Sequence, residues 1–404
     1  MADALPYPEA GGASDAAFIG VGEIESGKFP GRGFMAQVVE ASARAIQDAE
    51  IAHTDIDQIV LIPCLHGQED QADLIFSRVA EELGLHGRVK SSMMVHSGGS
   101  TSDNATRAAA GLIASGQARN VLVVQSEKWG SADLMAMVDM LSVNGIPREW
   151  EGTSGLQFNA IGGLITQRYM HQSGSSAEDM ASVCVALREW SRLNPNAMFR
   201  NKDLTIETVL GSKMISDPIH AFECPPMADG AAAFVMTSAS EAAKTKEAWV
   251  RIAGSGGCVS HYSSAQDADL GVLGWPKAAE EAYASAGWGA DDADLAEIYD
   301  SYAAVTCIAL EGLGISPKGE AAREFARKRF SPGGDLPLNT NGGLLSAGHT
   351  GVGGGMALLV EGVRQLLHKA EAPRQVENAQ KCIVGGSGGS YMDAQIMMLE
   401  RVTR

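Results

Sequence analysis

The sequence lacks the features that mark a metal, disulfide or nucleic-acid-binding protein. Its six cysteines include no Cys-x-x-Cys pair, and no histidine stands at zinc-binding spacing. Lys and Arg number 31 against 49 Asp and Glu, and the resulting net charge of −18 disfavours attraction to phosphate backbones or anionic lipid. We therefore expect free thiols, no bound metal and no nucleic-acid partner. The charge is compatible instead with a basic partner protein.

Long hydrophobic runs are also missing. The first fifteen residues, MADALPYPEAGGASD, contain no basic region and no apolar stretch, and no span reaches the roughly 18 apolar residues that a membrane helix requires. We therefore expect no membrane span and a cytoplasmic location.

Short apolar runs alternate with helical patterns along most of the chain. AAFIGVG is followed by FMAQVVEASARAIQDAEI and then QIVLIP, and the second half repeats this order with WVRIAGSG, PKAAEEAYASAGW and LAEIYDSYA. Such alternation predicts an α/β layered sheet. With 404 residues that are 45% hydrophobic, the chain is long enough to bury a large core.

The two halves share a local pattern, which indicates duplication. ARAIQDAEIAHTDID ends at Asp57 and EEAYASAGWGADDAD ends at Asp294; each combines a helix, a connector and Asp-x-Asp before a strand. We expect duplicated βαβ halves at residues 1–250 and 251–404. The first half contains a mixed region at about 127–226 that we interpret as an inserted loop region.

Four ordered motifs resemble the thiolase superfamily. They are GSTSDNATRAAAGLIASG at 99–116, SDPIHAFECPPMADGAAAFVM at 216–236, LPLNTNGGLLSAGHTGVGGG at 336–355 and IVGGSGG at 383–389. The resemblance covers nearly the whole chain. Within the superfamily, the sequence is similar to the lipid-transfer-protein, sterol-carrier-type branch. The resemblance implies a five-layered αβαβα fold and a homodimer.

The chain lacks the nucleophile that this resemblance implies. Thiolases place a cysteine at the start of the first-half helix, where free N–H groups and the helix dipole favour the thiolate. Gly99 stands there in this sequence, and the polar residues that follow it are typical of helix caps. The second thiolase cysteine corresponds to Ile383, and Cys382, one residue away, should point to the other face of its strand. Both catalytic cysteines are therefore interpreted as absent.

Other site residues of the family remain or are replaced by usable groups. The resemblance implies that His349, after Gly348, binds the thioester oxygen as it gains negative charge, although Thr350 replaces the family's proline. Tyr299 replaces the histidine of a His-Asp-x-Phe motif and Asp300 is retained. Tyr299 could act as a base if neighbours lower its pKa of about 10, with Asp300 orienting it.

Six positions are candidates with weaker support. Tyr302 is a possible catalytic residue, although it and Tyr299 could equally be ordinary strand aromatics. His66 and His261 lie in loops that could face a pocket, and we include them with Gly99, Gly348 and Gly386 as candidate substrate-binding positions.

A site with an oxyanion donor and a base, but no nucleophile, suits a retro-aldol reaction. Such an enzyme would cleave a β-hydroxyacyl-CoA ester to an acyl-CoA and a ketone or aldehyde. The similarity to steroid side-chain aldolases implies a small OB-fold, zinc-ribbon partner in a heterotetramer, with coenzyme A only as part of the substrate. Those aldolases should carry a second tyrosine near the Gly-His loop; Ala347 stands there, so Tyr302 or Tyr391 would have to substitute.

Two other functions stay open at this point. The chain could be an acyltransferase or condensing subunit whose nucleophile lies on a partner chain or on Cys382. It could also be a non-catalytic subunit that binds acyl lipids.

Overall fold

A nine-stranded mixed sheet organises the described residues. The computed structural model of the protein describes residues 15–63 and 75–404. Their strands and helices follow the order β1 (Ala16–Glu23), α1 (Phe34–Asp48), β2 (Gln58–Ile62), α2 (Ile75–Glu82), β3 (Ser91–Met94), α3 (Thr101–Ala114), β4 (Val121–Lys128), α4 (Leu134–Gly145), α5 (Phe158–Ser173), α6 (Ala177–Ser191), α7 (Ile206–Leu210), β5 (Met214–Ser216), β6 (Ile219–His220), β7 (Asp229–Ser238), α8 (Ala239–Thr245), β8 (Ala248–Val259), α9 (Trp275–Ala286), β9 (Leu295–Ile298), α10 (Ala303–Gly312), α11 (Ala321–Ala326), α12 (Gly354–Leu366), β10 (Lys381–Gly386) and β11 (Asp393–Thr403).

The strand order confirms the predicted duplication. The sheet runs β3-β2-β4-β7-β1-β8-β11-β10-β9. In the first half β2 pairs parallel with β4, β4 antiparallel with β7, and β7 antiparallel with β1. The second half repeats these directions: β9 pairs parallel with β10, β10 antiparallel with β11, and β11 antiparallel with β8. The halves meet where β1 pairs with β8 over two residue pairs. The boundary at residue 250 stays a prediction.

Helices cover both half-sheets and also separate them. Buried side chains of α1 and α2 pack on one face of the first half, and those of α9 and α10 pack on one face of the second. Residues of α3 and α12 share a third cluster with strands of both halves, so these two helices form a central layer. The order helix, sheet, helix, sheet, helix confirms the five-layered prediction.

The region at about 127–226 is more regular than its sequence pattern suggested. It contains the helices α4, α5, α6 and α7 and the short hairpin β5-β6. Helix α6 buries ten of its 15 residues, including Arg188 and Ser191. A helix covered on most sides loses the alternation of apolar and polar faces that marks an amphipathic helix. Its periodicity therefore gave no clear signal.

None of the helices in 15–63 and 75–404 is long and apolar enough to cross a bilayer. The cytoplasmic location stays a prediction.

A buried ionic network joins α12 to the strand end that precedes the site. Glu361 accepts hydrogen bonds from Arg374, from Arg364 at 2.9 Å and from the Thr340 hydroxyl at 2.8 Å. The Thr340 N–H donates to Glu297 of β9 at 3.0 Å. Burial would raise the pKa of Glu361, but the two arginines outweigh it and hold that pKa at about 2. The network therefore fixes α12, residue 340 and β9 relative to one another.

Replacing Arg374 by methionine should destabilise the protein by about 3–5 kcal/mol, because it leaves a buried carboxylate with one of its cations removed. Urea unfolding would measure the change. Arg192→Met is the matched control, since Arg192 pairs with Asp203 on the surface, and it should cost less than about 1 kcal/mol. Equal costs for the two substitutions would contradict the role given to the network.

Candidate active site

A cavity of about 610 Å³ lies where the ends of the two half-sheets meet the helices of region 127–226. Gly99, Tyr299, Tyr302 and His349 all line it. The structure therefore brings four of the sequence candidates together at one cavity. Most of the remaining wall is apolar and is formed by residues that include Met135, Met140, Leu141, Phe158, Met198, Phe199, Ile215, Phe222, Met227, Leu345 and Val352.

Strand β9 positions Tyr299 at this cavity. Its residues pair with β10, and the Tyr299 N–H donates to the carbonyl of Gly385 at 2.8 Å, one residue beyond the end of β9. The side chain of Asn339 fixes the strand from the other side, since it accepts from the Ile298 N–H at 2.7 Å and donates to the Ile298 carbonyl at 2.8 Å. The backbone carrying Tyr299 is thus held on both sides.

His349 is held by the segment that leads into β7. Its N–H donates to the carbonyl of Pro226 at 2.8 Å, and its own carbonyl accepts from the Ala228 N–H at 3.0 Å. The imidazole stacks on Trp129, with ring centroids 5.2 Å apart. Backbone pairing and stacking together fix where the imidazole lies in the cavity.

The phenol of Tyr299 and the imidazole of His349 form one unit. The Tyr299 hydroxyl and His349 Nε2 are 3.0 Å apart, and the two rings meet edge to face. Burial lowers the pKa of His349 to about 4, so its imidazole is neutral at pH 7. Burial and the neighbouring Asp300 raise the pKa of Tyr299. A neutral phenol therefore faces a neutral imidazole, whereas the sequence argument required a lowered tyrosine pKa.

Tyr299 also fills the space that a side chain at position 99 would need. A Cβ built on Gly99 would lie 2.3 Å from the carbonyl oxygen of Ser387 and 2.5 Å from Cζ of Tyr299. The start of α12 approaches the same place, since a Cβ on Gly355 would lie 2.9 Å from the carbonyl oxygen of Gly99. Glycine at position 99 is thus required by the close approach of both the Ser387 backbone and the Tyr299 ring.

Asp300 points away from the cavity. Its carboxyl is completely buried and accepts N–H groups of Leu344 at 2.8 Å and Leu345 at 3.1 Å. These two residues belong to a wide helical turn, Gly343–Ala347, that ends two residues before His349. Burial raises the pKa of Asp300 to about 8. Asp300 is therefore placed to shape the loop that carries His349.

A second polar group occupies another part of the wall. The Tyr302 hydroxyl donates to Oδ1 of Asn159 at 2.6 Å, and the Tyr391 hydroxyl lies 2.7 Å from that of Ser301. The rings of Tyr302 and Tyr391 meet edge to face. Asn159 and Ser301 were not predicted from the sequence. The one available signal was for Ser301, which directly precedes the candidate Tyr302 in the chain.

The remaining candidates lie elsewhere. His261 is buried beside Asp267, with Nδ1 2.8 Å from a carboxylate oxygen, and it does not line the cavity. Gly348 and Gly386 are buried turn and strand positions that also do not line it. His66 lies outside the described residues.

The cysteines of the described residues offer no thiolate at this site. Cys382 is buried among residues of β10 and α12, away from the cavity, and burial raises its pKa. Cys224 does line the cavity, and burial raises its pKa to about 12. Because the thiolate is the reactive form, a thiol with so high a pKa is a poor nucleophile at neutral pH.

The polar residues after Gly99 were interpreted as helix caps, and for Ser100 this interpretation was wrong. Ser100 makes no side-chain cap bond; its hydroxyl instead donates to the Asp393 carboxylate at 2.7 Å. The bond joins the start of α3 to the C-terminal Gly-rich turn, since Asp393 also accepts from the Gly388 N–H at 2.6 Å.

Comparisons with known proteins identify the family of this chain. A family model described as thiolase C-terminal domain-like matches residues 256–401. An acetyl-CoA acetyltransferase of Methanothermobacter thermautotrophicus is 30% identical, covering 93% of this chain and 97% of that protein. The 17-hydroxy-3-oxo-4-pregnene-20-carboxyl-CoA lyase of Mycobacterium tuberculosis is 31% identical, covering 87% and 91%. The chain belongs to the thiolase superfamily.

Structural comparison places this thiolase-like protein in the lipid-transfer, sterol-carrier-type branch. A solved Ltp2-ChsH2(DUF35) aldolase matches it with a TM-score of 0.82 and 26% identity over 97% of this chain and 98% of that chain. The superfamily prediction is thereby confirmed. Since the relatives include both a lyase and an acetyltransferase, they establish a thiolase-type enzyme and leave the choice of reaction to the geometry of the site.

The contact between Gly99 and Tyr299 predicts opposite effects for two glycines near α3. Gly99→Ala should destabilise the protein by about 1–3 kcal/mol, because the methyl group overpacks the cavity wall. Gly111→Ala should stabilise it by about 0.5–1 kcal/mol, because Gly111 is inside a helix and a Cβ there meets nothing within 4 Å. Urea denaturation of both variants measures the difference. A neutral Gly99→Ala would show that both the Ser387 backbone and the Tyr299 ring can move to admit a side chain at this position.

Proposed function

We propose that this protein is a carbon-carbon lyase that cleaves a β-hydroxyacyl-CoA thioester into an acyl-CoA and a ketone or aldehyde by retro-aldol chemistry. The observation that carries the proposal is the position of Tyr299, which fills the nucleophile's space over Gly99 and hydrogen-bonds His349. A site arranged in this way has groups for moving a proton, and its one lining cysteine among the described residues, Cys224, is a poor nucleophile.

The Tyr299–His349 pair supplies the base. The substrate's β-hydroxyl transfers its proton to the Tyr299 oxygen while Tyr299 passes its own proton to Nε2 of His349. A neutral imidazole can accept that proton at pH 7, and the raised pKa of Tyr299 keeps the phenol protonated until the transfer. The tyrosine thus acts as a base without existing as a free phenolate.

Bond cleavage follows from this transfer. As the β-oxygen becomes a carbonyl, the Cα–Cβ bond breaks and its electron pair moves to Cα and the thioester oxygen. The imidazolium formed on His349 lies beside this developing negative charge and stabilises it. Cα then takes back the proton through Tyr299, which restores the neutral pair and releases the shortened acyl-CoA.

The wall of the cavity indicates a largely apolar acyl group. Residues from α4, α5 and the segment before β7 contribute methionine, phenylalanine, leucine and proline side chains around the Tyr299–His349 pair. The mycobacterial relative acts, by its name, on a pregnene carboxyl-CoA ester. A steroid side chain or an aromatic acyl group would fit such a wall, which would place the enzyme in lipid or steroid catabolism.

We further propose that two copies associate and bind a small partner of the DUF35 type. The similarity to an Ltp2-ChsH2(DUF35) aldolase supports the partner. The edge position of β3 in the sheet, with Ser91 and Met94 exposed, supports association through the first half.

Acyl transfer is the alternative reaction suggested by the archaeal relative. It would need a nucleophile from Cys224 or from a partner chain. Binding without catalysis is the remaining alternative, and both are outcomes of the first test below.

Tyr299→Phe should lower kcat/KM for cleavage by about 10²- to 10⁴-fold, because the hydroxyl that accepts and relays the proton is lost. Mass spectrometry of products from straight-chain, aromatic and steroid-type β-hydroxyacyl-CoA esters would show the carbonyl product and the shortened acyl-CoA. The control is Tyr283→Phe, whose hydroxyl donates to the Leu313 carbonyl outside the cavity. A protein mass increased by an acyl group would support acyl transfer instead, and neither product nor adduct would leave a binding subunit.

The rate should depend on pH through His349. Because His349 must be neutral to receive the proton, kcat/KM should stay level from pH 7 down to about 5 and fall as the pH drops through about 4. A free phenolate base would instead give a rate that rises steadily between pH 7 and 9, since burial raises the pKa of Tyr299. Steady-state kinetics, with tryptophan fluorescence to confirm folding at each pH, separates the two.

A further inference from the structure

Lys28 gives the cavity a single positive charge. Of the described residues that line it, Lys28 is the one Lys, Arg, Asp or Glu, and its side chain is exposed. The chain as a whole carries a net charge of −18. An isolated cation on an apolar wall, in a protein that otherwise repels anions, selects an anionic group at that point.

The ammonium of Lys28 has no partner among the residues of 15–63 and 75–404. The nearby Lys128 differs, because its ammonium lies 2.8 Å from a carboxylate oxygen of the buried Asp229. It also donates to the carbonyl of Phe29 at 2.6 Å. The charge of Lys128 is thus used inside the protein, and that of Lys28 is free for a ligand.

Asp229 fixes the backbone on both sides of Lys28. The Gly27 N–H donates to the carbonyl of Asp229 at 3.0 Å, and the Asp229 N–H donates to the carbonyl of Gly27 at 2.7 Å. The Phe29 N–H donates to the Asp229 carboxylate at 2.8 Å. An exposed lysine on a backbone held in this way loses less entropy on binding than one on a free loop.

The same segment links Lys28 to the proton-transfer pair. Residues 226–228 pair with His349 on one side, and Asp229 pairs with Gly27 on the other. The backbones of Gly27 and His349 lie on opposite sides of this segment, two strand spacings or about 10 Å apart. Lys28 and His349 therefore lie at a fixed separation across one extended segment, as two contacts on the same ligand would require.

We propose that Lys28 binds an anionic oxygen group of the ligand, either a phosphate of coenzyme A or a carboxylate on the acyl chain, and that the buried Lys128–Asp229 pair positions it. The proposal deepens the proposed CoA-ester function and rests on it for the identity of the ligand. It concerns binding alone, so it can be tested without turnover.

Isothermal titration of the full chain, with its partner where the two co-purify, tests the assignment. The probes are coenzyme A, which carries the phosphates, and the succinyl and butyryl thioesters of N-acetylcysteamine, which differ by a carboxylate and carry no phosphate. Lys28→Ala should bind the relevant anionic probe about tenfold more weakly, as expected for loss of one charge-assisted contact. Lys28→Arg should retain most of the affinity, and the difference should shrink in high salt.

Lys244→Ala is the matched control, since Lys244 is an exposed lysine of α8 that pairs with Glu241. Weaker binding of coenzyme A alone assigns Lys28 to a phosphate, and weaker binding of the succinyl thioester relative to the butyryl one assigns it to an acyl carboxylate. Equal affinities of wild type and Lys28→Ala for all three probes, or no binding by the wild type at millimolar concentration, overturn the proposal. Lys28-dependent binding without any cleavage would instead overturn the lyase function and leave this site standing.

Discussion

The hydrogen bond between Tyr299 and His349 is the constraint on which the rest of the site depends. The bond brings the end of β9 next to the loop that carries His349. The start of α3 packs against the same tyrosine ring. Asn339 holds the first of these, Asp300 shapes the second, and Gly99 lets the third approach. The duplicated fold supplies two half-sheets whose strand ends converge at that place, and the central helices α3 and α12 hold them together.

The burial of these groups suits the proposed reaction, which needs no thiol. Burial favours neutral forms, so it keeps His349 deprotonated and Tyr299 protonated. In the proposed relay the positive charge on His349 forms only as negative charge develops on the substrate, so the two charges compensate, whereas a resting buried phenolate or thiolate would need a cation beside it. The environment that makes Cys224 a poor nucleophile is thus the one that suits a tyrosine-histidine relay.

Much of the fold followed from the sequence because alternation, duplication and four ordered motifs all concern residues close together in the chain. The exclusion of a nucleophile at Gly99 followed for the same reason. The packing of Tyr299 over Gly99 could not be predicted, since 200 residues separate them and periodicity carries no information on such contacts. The sequence set a lowered pKa as the condition for Tyr299 to act as a base, but the actual direction depends on burial and could not be read from it. The helices of region 127–226 were missed because their many buried faces hide amphipathicity. Lys28 had no motif to mark it, and only the cavity lining distinguishes it from other exposed lysines.

The close approach of Gly99 and Tyr299 also bears on how the two chemistries of this superfamily can be exchanged during evolution. A cysteine gained at position 99 would collide with the tyrosine, and a tyrosine lost first would leave a glycine with no reactive group beside the histidine. Each single step towards acyl transfer therefore passes through a protein that is strained or inactive. Because positions 99 and 299 depend on each other, a protein with the tyrosine site would not return to a cysteine site through single substitutions.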